Sequence, residues 1–170
     1  MGDEQAPKIA TASFKRCLEE SKIGKDEQAK FEKMKREMEQ SIERKEAELK
    51  EMAPKFSDEY LDALTPEAEA ELKKNFQELS QQVTQERNQY MYTLNQLDYQ
   101  IVQKIYEKVV VLAKDVANQH QVSIIFDGDR CLYRDEKLDL SDEIIAQLDA
   151  QFDLSQKEPS QTMEVQKPAA

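Results

Sequence analysis

Residues 67–119 read EAEAELKKNFQELSQQVTQERNQYMYTLNQLDYQIVQKIYEKVVVLAKDVANQ, without a single Pro or Gly. Leu72, Val83, Leu94, Ile105 and Val116 recur there every eleven residues, and Leu79, Tyr90, Ile101 and Leu112 keep the same step. Eleven residues over three turns is about 3.67 per turn, the period of a helix that runs straight or supercoils slightly right-handed. The stretch therefore predicts one helix of about 53 residues, about 80 Å long. A helix of that length in a chain of 170 residues does not fold around a compact core. The expectation is an elongated protein whose function lies in reach and surface rather than in a buried pocket.

The rest of the composition agrees with long helices. The chain is 39% hydrophobic and 35% charged, with 3 Gly, 5 Pro and no Trp, a profile typical of coiled coils. Its mean hydropathy of -0.82 would suit disorder, but the apolar periodicity argues against that over most of the chain. Net charge is -11, distributed unevenly. Residues 1–52 hold 12 basic against 13 acidic side chains, and the remainder 12 against 22. Nucleic-acid binding needs clustered Lys and Arg, so this balance argues against it. No run is apolar enough to span a membrane, and Met1 to Pro7 does not read as a signal peptide. A mature exported protein and a cytosolic one both fit that start. Cys17 and Cys131 lie far apart, and a disulfide or two free thiols packing as small apolar residues are both open.

Outward from the long helix, Thr65-Pro66-Glu67 makes a good helix start, with Thr as N-cap and Pro at the first position. Upstream, Phe31, Met34, Met38, Ile42, Leu49 and Met52 mark the stripe of a second helix, beginning near Asp26 as N-cap and ending at Pro54. Residues 53–66 form the break, with one or two helical turns around Phe56, Tyr60, Leu61 and Leu64. Two striped helices joined by a short connection predict an antiparallel hairpin. Before it, residues 8–13 read as a strand and Phe14 to Glu20 as a short helix, with a break or kink at Gly24. After it, residues 121–127 and 130–134 read as a β-hairpin turning at Asp127-Gly128. Asp139 to Phe152 reads as an amphipathic helix N-capped by Ser141.

The predicted fold is thus mainly α with a small β body. A long helical-hairpin arm, residues 25–104 with its tip at 53–66, projects from a body of residues 8–24 and 105–152. Residues 1–7 and 154–170 have disordered-tail composition. A small sheet with exposed edges invites pairing with other copies, so the expectation is a homo-oligomer.

These segments resemble one family. The strand Lys8 to Ser13, the hairpin, then Val-Ser-Ile-Ile-Phe-Asp-Gly-Asp-Arg-Cys-Leu-Tyr over 122–133 and Leu-Asp-Leu-Ser-Asp-Glu-Ile-Ile-Ala-Gln-Leu-Asp over 138–149 look like the Skp/OmpH periplasmic chaperones. Lys15-Arg16-Cys17-Leu18-Glu19-Glu20-Ser21 looks like the chlamydial branch in particular. The resemblance covers residues 8 to 152, although the arms match in length and periodicity only. It implies a homotrimer whose strands form a small β-barrel and whose arms surround a cavity. It also implies an ATP-independent holdase that binds unfolded outer-membrane proteins in the periplasm, as a mature form lacking its signal peptide. Cofactors, metal and catalytic residues are not expected, nor is stable membrane insertion. One departure is the acidity of the second arm. Glu67, Glu69, Glu71, Glu78, Glu86 and Asp98 outnumber Lys73, Lys74 and Arg87 there, which argues against lipopolysaccharide binding through a basic cluster.

Under that resemblance, Met34, Met38, Met52, Phe56, Tyr60, Leu64, Tyr90, Met91 and Tyr92 are candidates for client contact. Methionine and aromatic side chains suit adaptable surfaces, while packing in the seam between the arms is the plainer role, above all for Met34 and Met38. Tyr90, Met91, Tyr92 and Tyr99 cannot all face one seam. Ile9, Ile124, Phe126, Leu132, Tyr133, Ile144, Ile145 and Leu148 are the oligomerisation candidates. Asp127-x-Asp129 lacks the further oxygen ligands of a calcium loop. His120, the only histidine, sits where a cation favours a helix C-terminus, and no motif supports a thiol dyad with Cys17. An envelope adaptor that binds one folded partner is the alternative function.

Overall fold

The structure is a computed structural model, and it describes residues 7–157. Strand β1 (Ile9–Ala12) leads into α1 (Phe14–Glu20) and α2 (Lys22–Met52). A 3-10 turn (Ala53–Phe56) and the one-turn helix α3 (Asp58–Leu61) make the connection to α4 (Pro66–His120). Strand β2 (Ile124–Asp127), two 3-10 turns and α5 (Ser141–Lys157) follow. The described residues divide into two compact units: Gln28–Ile101 forms one, and the residues up to Glu27 together with those from Val102 onward form the other.

Helix α4 runs for 55 residues, and its start is the predicted one. The Thr65 hydroxyl accepts from the Ala68 N–H at 3.2 Å, and Pro66 opens the helix. Its end is a left-handed cap. Gln121 has φ 54, and the Val122 N–H donates to the Ala117 carbonyl at 2.8 Å, the long bond of a Schellman closure. Within Gln28–Ile101 the two long helices run antiparallel. Lys45 pairs with Glu86, Arg87 Nε donates to Glu46 at 2.6 Å and the Tyr90 hydroxyl donates to Glu39 at 2.5 Å. At the far end the rings of Phe56 and Phe76 lie 4.8 Å apart.

The other unit holds most of the core. Ile105, Val109, Leu112 and Val116 on α4 are buried, as are Cys17 and Ile23 upstream and Leu140, Ile144 and Leu148 downstream. Polar interlocks tie its early and late segments. The Ser13 N–H donates to Ser141 Oγ at 2.8 Å, and Arg16 bridges Glu20 and Asp142. The Lys22 N–H donates to Asp149 at 2.7 Å. Among the described residues the sheet has two strands, β1 and β2, paired in parallel with Ile9 opposite Ile124 and Thr11 opposite Phe126. Parallel neighbours require a long crossover, and here everything from α1 to α4 supplies it.

Four sequence expectations are corrected. The hairpin at Asp127-Gly128 does not form: Gly128–Arg130 is a 3-10 turn, and residues 131–135 carry no strand. A type I′ turn needs positive φ at its central residues, and neither glycine described has it. Instead the Asp127 carboxylate accepts from the Asp129 N–H at 3.1 Å, while Asp129 is drawn to α1 by Ser13 Oγ at 2.7 Å and the Lys15 N–H at 3.0 Å. The break between α1 and α2 falls at Ser21, not Gly24, and neither Gly24 nor Asp26 starts the helix. Ser21 Oγ accepts from the Gly24 N–H at 3.1 Å as the cap of α2. Gly24 serves close approach instead, since a Cβ there would sit 1.8 Å from the Leu18 carbonyl oxygen. Ser141 does not cap α5 with its own hydroxyl. The Asp139 carboxylate accepts from the Ser141 N–H at 2.8 Å, which frees Ser141 Oγ to receive the Ser13 N–H. Helix α5 continues through 154–157, where a disordered tail was expected. The expected tails at 1–6 and 158–170 lie outside the described residues. Of the two readings open for the cysteines, the free thiols are the one found, with Cys17 buried and Cys131 exposed.

Candidate functional site

No group of His, Cys, Asp and Glu able to hold a metal occurs among the described residues. Burial pushes the Cys17 thiol up to about 11, where it is neutral and a poor nucleophile. His120 Nε2 lies 2.6 Å from Glu143 at the surface, a pairing of two helix ends. The chemistry on offer is that of surfaces.

The first surface lies on Gln28–Ile101. Of the nine candidate client residues, Met34, Tyr60, Met91 and Tyr92 are exposed, Met91 by 59% and Tyr92 by 68%. Met38, Met52, Phe56, Leu64 and Tyr90 are half-buried along the helix pair. Met38 borders a groove of about 200 Å³ with Ser41, Ile42, Glu86 and Gln89. Hydrogen bonding to Glu39 holds the Tyr90 phenol above its ordinary pKa, so it stays protonated in the seam. Tyr99, 62% exposed, joins Met91 and Tyr92 on the outer side of α4. The apolar ladder fixes which face turns inward, so the three consecutive positions Tyr90, Met91 and Tyr92 must split between the seam and solvent. That face also carries Gln77, Gln81, Gln85 and Asn88, which were not singled out from the sequence. Their signal was present as amides at helical spacing opposite Leu79, Val83 and Tyr90.

The second surface lies on the other unit. Ile9, Ile124, Phe126, Leu132 and Tyr133 are exposed, Phe126 by 51% and Tyr133 by 87%. Tyr106, Val110 and Val111 on α4 are exposed as well. Of the eight oligomerisation candidates, Ile144 and Leu148 are fully buried inside their own chain, so they hold α5 in place and offer nothing to a partner. Ile145 is half-buried. Behind this surface, Asp129 and Asp139 are held below the usual carboxylate range. For Asp129 the main cause is the Ser13 hydroxyl, helped by the Lys15 N–H. Burial pushes Asp139 upward, but the Ser141 hydroxyl and N–H and the charge of Arg134 outweigh it. The Arg134 guanidinium, 2.8 Å from Asp139, fills the space a Cβ on Gly128 would occupy.

A long antiparallel helix pair and a small parallel sheet are the elements of an OmpH-type fold. The family profile described as outer membrane protein (OmpH-like) matches residues 8–148. The chain is 39% identical over 145 residues to a Skp-like protein of Chlamydia muridarum (strain MoPn / Nigg), covering 85% of this chain and 84% of that one. It is 33% identical over 145 residues to a Skp-like protein of Chlamydia pneumoniae, covering 85% of each. It also resembles a crystal structure described as an OmpH-like outer membrane chaperone from Caulobacter crescentus CB15. The TM-score is 0.75 at 14% identity, over 89% of both chains, a likeness of fold. The chain belongs to the OmpH-like family.

Proposed function

We propose that this protein is an ATP-independent periplasmic holdase that binds unfolded outer-membrane proteins on its helical unit and keeps them from aggregating. The observation that carries this reading is the set of exposed apolar and aromatic side chains on Gln28–Ile101: Met34, Tyr60, Met91, Tyr92 and Tyr99. Each offers a modest apolar area, worth about 25 cal/mol per Å² when covered. Many such contacts hold an unfolded chain, while any one exchanges quickly. The client leaves when folding into the outer membrane is the lower state, and the cycle needs no catalytic group. No helix among the described residues is long and apolar enough to cross a membrane. Lipopolysaccharide is not the expected cargo, because the second long helix is acidic.

The working form in this reading is a homotrimer. Ile9, Ile124, Phe126, Leu132 and Tyr133 all hold apolar side chains in solvent, and exposed apolar groups gathered together mark interaction sites. The outer edge of β2 has no strand beside it among the described residues, and such an edge favours pairing with another copy.

The test is aggregation suppression. A urea-unfolded outer-membrane β-barrel protein is diluted into buffer with increasing amounts of this protein, and light scattering is followed. Suppression saturating near three chains per client is the expected result. Scattering unchanged at tenfold excess, with the protein shown to be folded, would remove the holdase reading and put an adaptor for one folded partner in its place.

A further inference from the structure

The outer face of α4 is unusual in a chain so rich in charge. From Leu79 to Leu97 only Glu86 and Arg87 are charged. Both are engaged by α2, Glu86 with Lys45 and Ser41, Arg87 with Glu46. Glu78, at the near end of the face, pairs with Lys74 at 3.8 Å. What remains is a neutral strip in which Gln77, Gln81, Gln85 and Asn88 follow at steps of four, four and three, flanked by Gln89. Tyr92, Asn95 and Tyr99 continue the strip at steps of four, three and four. None of the side chains of Gln77, Gln81, Gln85, Asn88 and Gln89 has a hydrogen-bond partner among the described residues, and all five are exposed.

A primary amide offers two N–H donors and a carbonyl acceptor, the same groups a peptide bond offers. A row of them about 5–6 Å apart along one helix face can bond the main chain of an extended polypeptide at successive points, whatever its side chains are. The rings of Tyr92 and Tyr99 give neighbouring apolar side chains a place to lie. The alternative occupant, a second copy through this same face, would bring amides fixed at helical spacing on both sides, whereas an extended chain offers main-chain groups about every 3.3 Å and can adjust to meet them.

We propose that this strip is a main-chain reader: its amides hydrogen-bond the backbone of extended, uncharged stretches of an unfolded polypeptide. The inference rests on the holdase reading and specifies how its helical unit recognises a client. It also accounts for tolerance of an acidic helix, since from Leu79 to Leu97 the two charged side chains, Glu86 and Arg87, are both engaged by α2.

The test uses the full chain carrying Gln81→Ala, Gln85→Ala, Asn88→Ala and Gln89→Ala together. A control carries Asn118→Ala, Gln119→Ala and Gln151→Ala, which remove amides away from the strip. Alanine favours helix, and circular dichroism checks that both fold. Affinity for an unfolded outer-membrane β-barrel protein is expected to fall about three- to tenfold in the strip variant, as a few weak hydrogen bonds would give, and to stay level in the control. A second measurement compares a synthetic peptide of alternating Thr and Val with the same peptide N-methylated at alternate peptide bonds. The unmodified protein should prefer the first peptide and the strip variant should bind both alike. Equal affinity of the strip variant and the unmodified protein for the β-barrel client, or indifference of the unmodified protein to methylation, would overturn the reader while leaving the holdase standing. A rise in chain mass on making the substitutions, or a fall, would show that the face serves contact between copies instead. If the unmodified protein bound no unfolded chain at all, the holdase reading itself would fall, and the reader with it.

Discussion

At the scale of single residues, the two cysteines show how differently one side chain can be used. Cys17 is enclosed in the core and its thiol is shifted up by burial, whereas Cys131 stands in solvent. A thiol-reactive chromophore is expected to titrate one thiol per chain in the native protein and two in guanidinium. A native count of zero would mean the pair is oxidised. Asp129 carries a second prediction. Its folded-state pKa lies below the unfolded one, chiefly through the Ser13 hydroxyl, so the unfolded chain binds more protons in acid. The stability it adds is fully present above about pH 4, the unfolded value, and is lost as pH falls through the lower folded value. Urea midpoints measured from pH 6 down to pH 3 should drop, and Asp129→Asn should flatten that drop. Gly24 is the third case. An added methyl group would press on the Leu18 backbone carbonyl, which cannot swing aside as a side-chain end could. Gly24→Ala should cost about 1–3 kcal/mol, the usual range for overpacking, read from urea denaturation.

Elements differ in how far they can be read from the chain. Helix α4 was legible to within a residue or two because its cause is local: no breaker from Glu67 to Gln119, a sustained apolar ladder, and Thr65-Pro66 at its start. The seam was legible in part for the same reason: Met38 lies half-buried along it, but Met34, expected there too, is exposed, and Met91, Tyr92 and Tyr99 all face solvent while Tyr90 does not. The Asp127-Gly128 segment was not. Its geometry is decided by Ser13 and Lys15, more than a hundred positions away, whose hydroxyl and N–H draw Asp129 out of a hairpin path. Ser141 was misread for a related reason, since its hydroxyl is taken by the Ser13 N–H. The amide strip was visible in the sequence but carried no weight there, because glutamine on a helix surface is ordinary until the nearby charges are seen to be engaged. One element end makes its own prediction. Gln121 holds the left-handed cap of α4, a conformation that costs a non-glycine residue about 1–2 kcal/mol. Gln121→Gly relieves that strain against a loss of chain rigidity, and a net gain of about 0.5–1 kcal/mol is expected in thermal unfolding.

For the whole molecule, the question is how many chains make the working form. Phe126 stands half in solvent on β2, beside Ile124 and across from Thr11. Phe126→Asp removes apolar area from the surface and leaves the chain's own core intact. Light scattering coupled to size exclusion should then give the mass of one chain where the unmodified protein gives three. A mass of three for both would place the subunit contact elsewhere, with Val110 and Val111 the next residues to change.

The parallel pairing of β1 with β2 also has a consequence in time. A ribosome or an export channel releases Ile9–Ala12 first and Ile124–Asp127 only after the whole of α4. Until then the opening strand has no neighbour, and Ser13 lacks both Asp129 and Ser141. The long helices can form as they emerge, but β1 and β2 can pair only when most of the chain is out. The chain thus passes through an unfinished stage of its own, during which its leading strand offers an unpaired edge to any other strand nearby.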